Sequence, residues 1–546
     1  MLKRKFDRRQ FLKGASLAAG AAVLAACSPA ATATLAPTQP PAPAATDTQA
    51  AASSAATATQ APASTDTAAP VPTALPPVEL SWALDAAGEP KDLAVVEAAL
   101  NALPQLKAIN VTIKLVFYDW GSFDQKSQLM FAGGTAPDLI FTSSWANNYI
   151  NGAVSGNYVA LDDLLPKYAP KTWAMVSPVA WTMSKVNGKI YAVPNQQIWY
   201  NAWGWQVRKD VADKYGITPD TVNKYEDLTP FMAKILADHP EWKYQLVQGS
   251  GPFTVGTMGY DGVTGGYAGA VIQQGDTTRT IINVNATQVM ADRISLWRSW
   301  EQAGYAPQEV IDYATADAAR KNGFYPVKLH VEKPGVSAED NATYGVGDWV
   351  YKPLEKPVLG YILPTLTGFP ASSKNTERAL MFFDLVYSDP VVMNTIANGA
   401  QGTDWVWVDQ SKNVIGLPSG VDLKSSGWSI NIDWEIGNAF IAYYKNPEEV
   451  GAWDETAKVN ATAVLPMPGS FVFDPKDVQS ELAALQTVDT QYSQPLQFGL
   501  IDPKDPAKGI DAWIKAEKDA GLDKVIAAMQ TQLNAFVTAN PDVFKS

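Results

Sequence analysis

Polar and apolar positions alternate over residues 78–84 and again over 111–118. Apolar positions recur at helical spacing over 91–103 and 122–132, and a short apolar run follows at 138–142. Alternation turns one face of a strand toward a core, and spacings of three and four do the same for a helix, so the series predicts strand, helix, strand, helix, strand. Strands separated by helices imply a mostly parallel α/β sheet covered on both faces, whose ligands gather beyond the C-terminal ends of the strands. Asp119, Trp120, Ser143, Ser144 and Trp145 fall at those ends. Farther along, 376–387 reads as a helix, largely apolar from Ala379 onward and stopped by Asp389-Pro390, which predicts burial between layers. A second helical stripe runs through positions 522, 525, 526, 529, 533, 536 and 537. Gly-rich and Trp-rich stretches with short strands occupy 249–275 and 405–416, and no internal repeat is present.

Ahead of this pattern, residues 1–26 join a basic stretch (Lys3, Arg4, Lys5, Arg8, Arg9, Lys13) to an Ala/Gly-rich apolar run that leads into Cys27. The run from Gly14 to Ala26 is too short and too weakly hydrophobic to remain as a spanning helix, so cleavage is expected. Arg8-Arg9-Gln10-Phe11-Leu12-Lys13 followed by Leu24-Ala25-Ala26-Cys27 resembles a bacterial lipoprotein signal of the twin-arginine type, with Cys27 as the lipidated first residue of the mature chain. Two or more acyl chains tether a protein stably to a membrane surface without spanning it. Residues 27–77 are mostly Ala, Thr, Pro, Ser and Gln, with Asp47 and Asp66 as the only charges. Such a segment cannot bury enough apolar area to offset chain entropy, and a disordered, partly extended spacer is expected.

Charge narrows the partners. The formal charge is −13, and without the first 26 residues 36 basic and 54 acidic side chains leave −18. Nucleic acid is not an expected partner, and anionic lipid is repelled, so membrane attachment falls to the lipid anchor. With Cys27, the only cysteine, used by the anchor, no disulfide forms. Two histidines, His239 and His330, leave too few bases and soft ligands for Ser-His-Asp or Cys-His catalysis or for a His/Cys zinc site. His330 reads as a strand or loop surface residue, and His239 as a helix end before a proline. Walker-type, dinucleotide and calcium-loop motifs are absent, so neither a cofactor nor a metal is expected. The 18 Trp and 21 Tyr point elsewhere. Their rings offer flat apolar faces beside polar handles, which suits the C–H surfaces of sugars, while most of them serve as core.

Several strings stand in a telling order. Gly133-Gly134-Thr135-Ala136-Pro137-Asp138-Leu139-Ile140 is followed by Tyr158-Val159-Ala160-Leu161-Asp162-Asp163-Leu164-Leu165 and by Val186-Asn187-Gly188-Lys189-Ile190-Tyr191-Ala192-Val193-Pro194. Together they resemble family 1 of the extracellular solute-binding proteins of ABC importers, the carbohydrate-binding class. Ser373-Lys374-Asn375-Thr376-Glu377-Arg378-Ala379, Tyr387-Ser388-Asp389-Pro390, Gly437-Asn438-Ala439-Phe440 and Phe471-Val472-Phe473-Asp474-Pro475 are similar to segments of the subgroup with an added C-terminal domain. One departure lies at 398–404, where Gln401 replaces the carboxylate of the usual Gly-x-Glu-Gly. The resemblance implies an α/β, two-lobed, periplasmic-binding-protein-like fold of type II, each lobe a mixed sheet flanked by helices and joined to the other by hinge crossings. Residues 78–192 form the first lobe, 193–355 begin the second, 356–410 return to the first, and 411–546 complete the second and add a C-terminal helical extension. The lobes close on a carbohydrate and release it to the transmembrane permease subunits of an ABC importer. A lipid-anchored, extracytoplasmic monomer without enzymatic activity is expected.

Candidate ligand residues follow from strand ends and crossings. The first lobe offers Trp145 foremost, with Trp120, Asp119 and Ser144. The crossing after the Gly-Lys-Ile-Tyr strand offers Asn195, Gln197, Trp199 and Tyr200. The second lobe offers Asp348 and Trp349 together with Trp428, Trp434 and Glu435, each ring close to amide or carboxylate groups. Trp203 and Trp205, alternating as in a buried strand, and Trp297 and Trp300, at helical spacing, read as core. The rival reading is a surface-tethered glycoside hydrolase, for which Asp433 with Glu435, or Asp404 with Asp409, are nominal carboxylate pairs. Residues so near each other on one strand flank nothing by themselves.

Overall fold

The structure, a computed structural model, describes residues 75–544 other than 201, 250–252, 310–312 and 361. The signal at 1–26, Cys27 and the spacer up to residue 74 lie outside the described residues. In chain order the first elements are β1 (Val78–Ala86), α1 (Leu93–Ala102), β2 (Val111–Asp119), α2 (Phe123–Ala132), β3 (Leu139–Thr142), α3 (Tyr149–Val154) and β4 (Ala192–Pro194). Next come β5 (Trp203–Arg208), β6 (Val247–Gly249), β7 (Tyr260–Gly262), β8 (Ala270–Gln273), β9 (Ile281–Asn283), α4 (Gln288–Gln302), β10 (Val327–Val331), α5 (Val336–Tyr344) and β11 (Trp349–Pro353). The chain then forms β12 (Leu366–Gly368), α6 (Thr376–Ser388), α7 (Pro390–Asn398), α8 (Gln479–Gln497), α9 (Ile510–Asp519) and α10 (Leu522–Ala539).

The alternating pattern of β1 and β2 becomes a parallel pair in register from Val78↔Val111 to Ala86↔Asp119. The sheet has the order β2-β1-β3-β12-β4. β12 runs antiparallel to both of its neighbours, so the sheet is mixed rather than wholly parallel. β1 lies inside the sheet and buries both faces, and its Trp82 meets Phe382 and Phe383 of α6 edge-on at 6.0 and 5.9 Å. The apolar run in α6 is buried through Ala379, Leu380, Phe382, Phe383, Val386 and Tyr387, which is why that helix sits between layers. Each large side chain so enclosed stabilises the fold by roughly 1.5–3 kcal/mol.

A second sheet has the order β11-β5-β10-β6, with β5 antiparallel to β10 and β11, and β10 parallel to β6. β11 passes so close to β5 that a Cβ on Gly204 would lie 1.9 Å from the Lys352 carbonyl oxygen, and only glycine fits there. Trp205, Trp297 and Trp300 fill the core beneath this sheet, as their spacing predicts. A third, antiparallel sheet β9-β8-β7 packs under α10, whose Leu522, Val525, Met529 and Leu533 are buried against Ile272, Phe471 and Phe473. Between the two larger sheets the chain crosses at 195–202 and returns at 354–365, and the crossings are bridged at Tyr200↔Leu359.

The C-terminal half departs from expectation in one respect. Trp428, Ile432 and Ile436 belong to the first-lobe core, and Trp428 meets Phe117 of β2 edge-on at 5.7 Å. Residues 428–436 therefore pack in the first lobe, whereas the sequence reading gave 411–546 to the remainder of the second lobe and a C-terminal helical extension. Among the described residues no helix is long and apolar enough to cross a membrane.

Candidate functional site

A cavity of about 750 Å³ opens where the first lobe, the crossings, and the C-terminal sheet and helices meet. The loop after β3 contributes Ser144 and Asn148, the start of β5 contributes Trp203, and the chain just past β11 contributes Glu355. The Gly-rich stretch around β7 supplies Thr254, Asp261, Thr264 and Tyr267, the approach to α8 supplies Ser470, and α8 itself supplies Gln479 and Gln486. Hydroxyls and amides alternate with apolar patches around the wall. That mixture suits a ligand rich in hydroxyl groups. Gly265 has φ +94°, and a Cβ there would come within 2.6 Å of the Phe473 carbonyl oxygen. This lets the loop lie flat on the C-terminal chain, where the Phe473 N–H donates to the Thr264 carbonyl at 2.9 Å.

At the rim, three tryptophans far apart in sequence converge. Trp120 and Trp434 stack with centroids 5.8 Å apart and planes 16° from parallel, and Trp120 lies 5.9 Å from Trp145 at 29°. Trp145 and Trp434 are 6.5 Å apart, with Phe141 edge-on to Trp434 behind them. Separations of this size are those of rings stacked on one another, not of rings holding a guest between them. The cluster is thus a continuous apolar platform whose open face belongs to Trp145, 51% exposed. Trp145 adjoins the cavity: its indole N–H donates to the Pro364 carbonyl at 2.9 Å, and Pro364 is part of the cavity wall.

The structure brings Trp120, Ser144, Trp145 and Trp434 together around this rim. Asp119 is exposed beside them, its carboxylate accepting from the Gly121 N–H. The crossing residues are buried instead. Asn195 donates to the Glu435 carbonyl and accepts from the Thr367 hydroxyl, Gln197 donates to the Thr365 hydroxyl, and the Trp199 indole donates to the Asn195 carbonyl. Tyr200 is likewise enclosed, and burial pushes its phenol up to about 12. Asn195 and Trp199 fasten the crossing to the first lobe, whereas Tyr200 packs with Ile198, Ala202 and Val331 of β10. Asp348 and Trp349 lie at the wrong end of their sheet: β11 is antiparallel to β5, so Trp349 pairs with Arg208 while Pro353 pairs with Gly204 beside the crossing. Trp428 is core, as described above. In the opposite direction, Trp203, read as core, is only half-buried and lines the cavity, its ring 6.0 Å from that of solvent-exposed His330. The contributions of 254–268 and 466–489 were missed. The run Gly262-Val263-Thr264-Gly265-Gly266 was the available signal, since clustered glycines mark close backbone approach.

Asp85 and Glu435, two carboxylates of the first lobe, are buried. Glu435 accepts from the Asp85 backbone N–H at 2.8 Å, and both side chains are fully enclosed. Burial, with Asp124 and Asp119 adding repulsion, pushes the Asp85 carboxyl up to about 8, and burial holds that of Glu435 well above the usual range. The nominal hydrolase pairs do not face a common space. Asp433 lies 3.7 Å from Lys445, while Glu435 turns into the first-lobe interior. Asp404 closes its own loop by accepting from the Ala400 N–H, and Asp409 caps the turn at Ser411. Gln401, in the departing loop, is exposed. Among the described residues no group of three or more His, Cys, Asp or Glu is placed to hold a metal ion.

Residues 468–538 match the family described as "Domain of unknown function (DUF3502)". The chain is similar in fold to N-glycan transport solute binding protein NgtS of Streptococcus pneumoniae in complex with Man5GlcNAc, with TM-score 0.71 and 22% identity over 85% of this chain and 99% of that one. It is also similar to alginate-binding protein AlgQ2, with TM-score 0.58 and 15% identity over 84% of this chain and 98% of that one. The class is thereby defined: the fold is the two-lobed type II architecture of periplasmic solute-binding proteins. Over 465 residues the chain is 23% identical to a carbohydrate ABC transporter substrate-binding protein of Streptococcus pneumoniae serotype 4, covering 82% of this chain and 89% of that one. The resemblance read from the ordered strings is borne out by these matches.

Proposed function

We propose that this protein is an extracytoplasmic solute-binding protein that captures an oligosaccharide between its lobes and delivers it to the permease of an ABC importer. The observation that carries this reading is the cavity of about 750 Å³ at the lobe junction with an exposed tryptophan platform at its rim. Its volume lies within the roughly 300–1,000 Å³ of small-molecule sites. Ser144, Trp145, Trp120 and Trp434 are the contacts drawn from the sequence reading, and Trp203, Thr264 and Gln479 are added from the cavity wall. The names of the relatives, carbohydrate and N-glycan transport proteins, support the same class. The protein binds and releases without making or breaking a bond, as a monomer. Lipidation at Cys27 anchors it to the membrane, and the spacer beyond lets the folded part reach the permease.

The test uses the chain from Leu75 onward with a panel of neutral oligosaccharides. A member of the panel raises the melting temperature and shifts tryptophan fluorescence, and the sugar is recovered intact. Release of new reducing ends over hours, or no response to any sugar, overturns the reading.

A further inference from the structure

Charge around the cavity is one-sided. Three carboxylates line it, Asp261, Glu355 and Asp489, and among the described lining residues there is no Lys, Arg or His. The internal positions outside the described set do not change this, since none of residues 201, 250–252, 310–312 and 361 is basic. Lys356, next to Glu355 in sequence, is exposed and is not part of the wall, and two further cations close to the wall in sequence or contact are engaged elsewhere. Arg279 donates to the carbonyl oxygens of Met467 and Thr277, with its guanidinium 4.4 Å from the centroid of the Phe544 ring. Lys476 pairs with Asp474 at 3.5 Å. His330, its ring 6.0 Å from that of Trp203, is solvent-exposed and is not among the residues that line the cavity; its Nδ1 lies 3.2 Å from the Val331 carbonyl oxygen.

The three carboxylates are fixed in different ways. Asp261 is pinned by the Gln274 amide at 2.9 Å and the Met467 N–H at 2.7 Å, so its charge stays at the wall. Glu355 accepts from the Trp203 N–H with one oxygen, at 3.2 Å, while its other oxygen is buried without a partner. That second oxygen sits where a Cβ on Gly256 would come within 2.5 Å, so the absence of a side chain at Gly256 makes room for it. Asp489, near Ser493, reaches the cavity from α8. Burial pushes the Glu355 carboxyl up to about 7 and raises that of Asp489 as well, so it is above neutral pH that a carboxylate on a ligand entering this space meets like charges, with no cation among the described lining residues. Hydroxyls and amines meet acceptors instead.

We infer that Asp261, Glu355 and Asp489 form an acidic screen that restricts this receptor to neutral or amine-bearing oligosaccharides and rejects anionic ones such as oligouronates. The inference rests on the carbohydrate-binding reading above and adds the charge class of the ligand.

Calorimetric titration with three sets of matched length tests it: neutral manno-, gluco- and N-acetylglucosamine oligomers, chitosan oligomers, and manno-, gluco- and galacturonate oligomers. The expected result is saturable binding of a neutral or amine-bearing member, with oligouronates weaker by on the order of a hundredfold. The E355Q/D489N variant, which leaves the Asp261 anchor intact, and the full D261N/E355Q/D489N variant narrow that gap by about tenfold or more, and added salt narrows it in the wild type. Oligouronates that bind the wild type as tightly as neutral sugars overturn the inference and leave carbohydrate binding standing. An unchanged gap in a folded E355Q/D489N variant overturns the assignment to these carboxylates. Failure of every set to bind overturns the carbohydrate reading itself, and the screen with it.

Discussion

Trp145 and Trp205 show how differently two tryptophans are used. Trp145 offers an open ring face and holds its place through one indole hydrogen bond and its neighbours in the platform. Trp205 is fully enclosed in the second-lobe core. Replacing Trp145 by Ala is expected to weaken oligosaccharide binding by tenfold or more while costing no more than about 1–2 kcal/mol of stability. Trp205→Ala costs roughly 3–5 kcal/mol. Paired denaturation and fluorescence titrations check this, and equal stability losses in the two variants contradict the assignment. Asp85 is a residue-scale test of another kind. Its folded carboxyl, raised to about 8 by burial and then by Asp124 and Asp119, holds its proton more tightly than the unfolded chain does. The associated stability is fully present below the unfolded value near 4 and is lost as pH rises toward 8, the reverse of an ion-paired aspartate. Asp85→Asn removes this loss. The variant is expected to gain on the wild type between pH 5 and 8, by on the order of a few kcal/mol, and to run parallel to it above pH 9. Melting curves that stay parallel from pH 5 to 8 contradict the burial argument.

At the scale of elements, the loop from β7 to β8 gives the cavity its wall because Gly265 lets it lie against the chain at Phe473. Gly265→Ala meets both a positive φ and a backbone oxygen. It is expected to lower stability by about 1–3 kcal/mol and to weaken binding together with it, as denaturant midpoints and titrations would show. Unchanged values for both mean that the loop is free to move and does not shape the site. The elements themselves were largely legible in the sequence. β1, β2, α2, α6 and α10 fall within a few residues of their expected bounds, because each carries its own period and its own stop signal. Strand direction was not legible. Nothing local in Asp348-Trp349 says that β11 runs antiparallel to β5, and that choice decides which end of the strand meets the crossing.

At the scale of the whole molecule, the site is assembled from chain segments hundreds of residues apart, and here the sequence reading was partial for a physical reason. Trp120 and Trp145 could be placed because they follow strands whose order the helical connections dictate. Trp434 was chosen for its ring and its polar neighbours, but its partner, Trp120, depends on Trp428, Ile432 and Ile436 burying themselves in the first lobe. The cavity walls at 254–268 and 466–489 exist only once the C-terminal helices have packed on the third sheet, and no local period encodes such a meeting. A receptor built in this way touches its ligand from several segments together. Hydrogen–deuterium exchange with and without a bound oligosaccharide tests that directly. The account predicts simultaneous protection of the loop at Ser144–Asn148, the stretch at Thr254–Ala268 and the segment at Pro466–Gln479. Protection confined to one of these segments, or protection that avoids the cavity altogether, contradicts it.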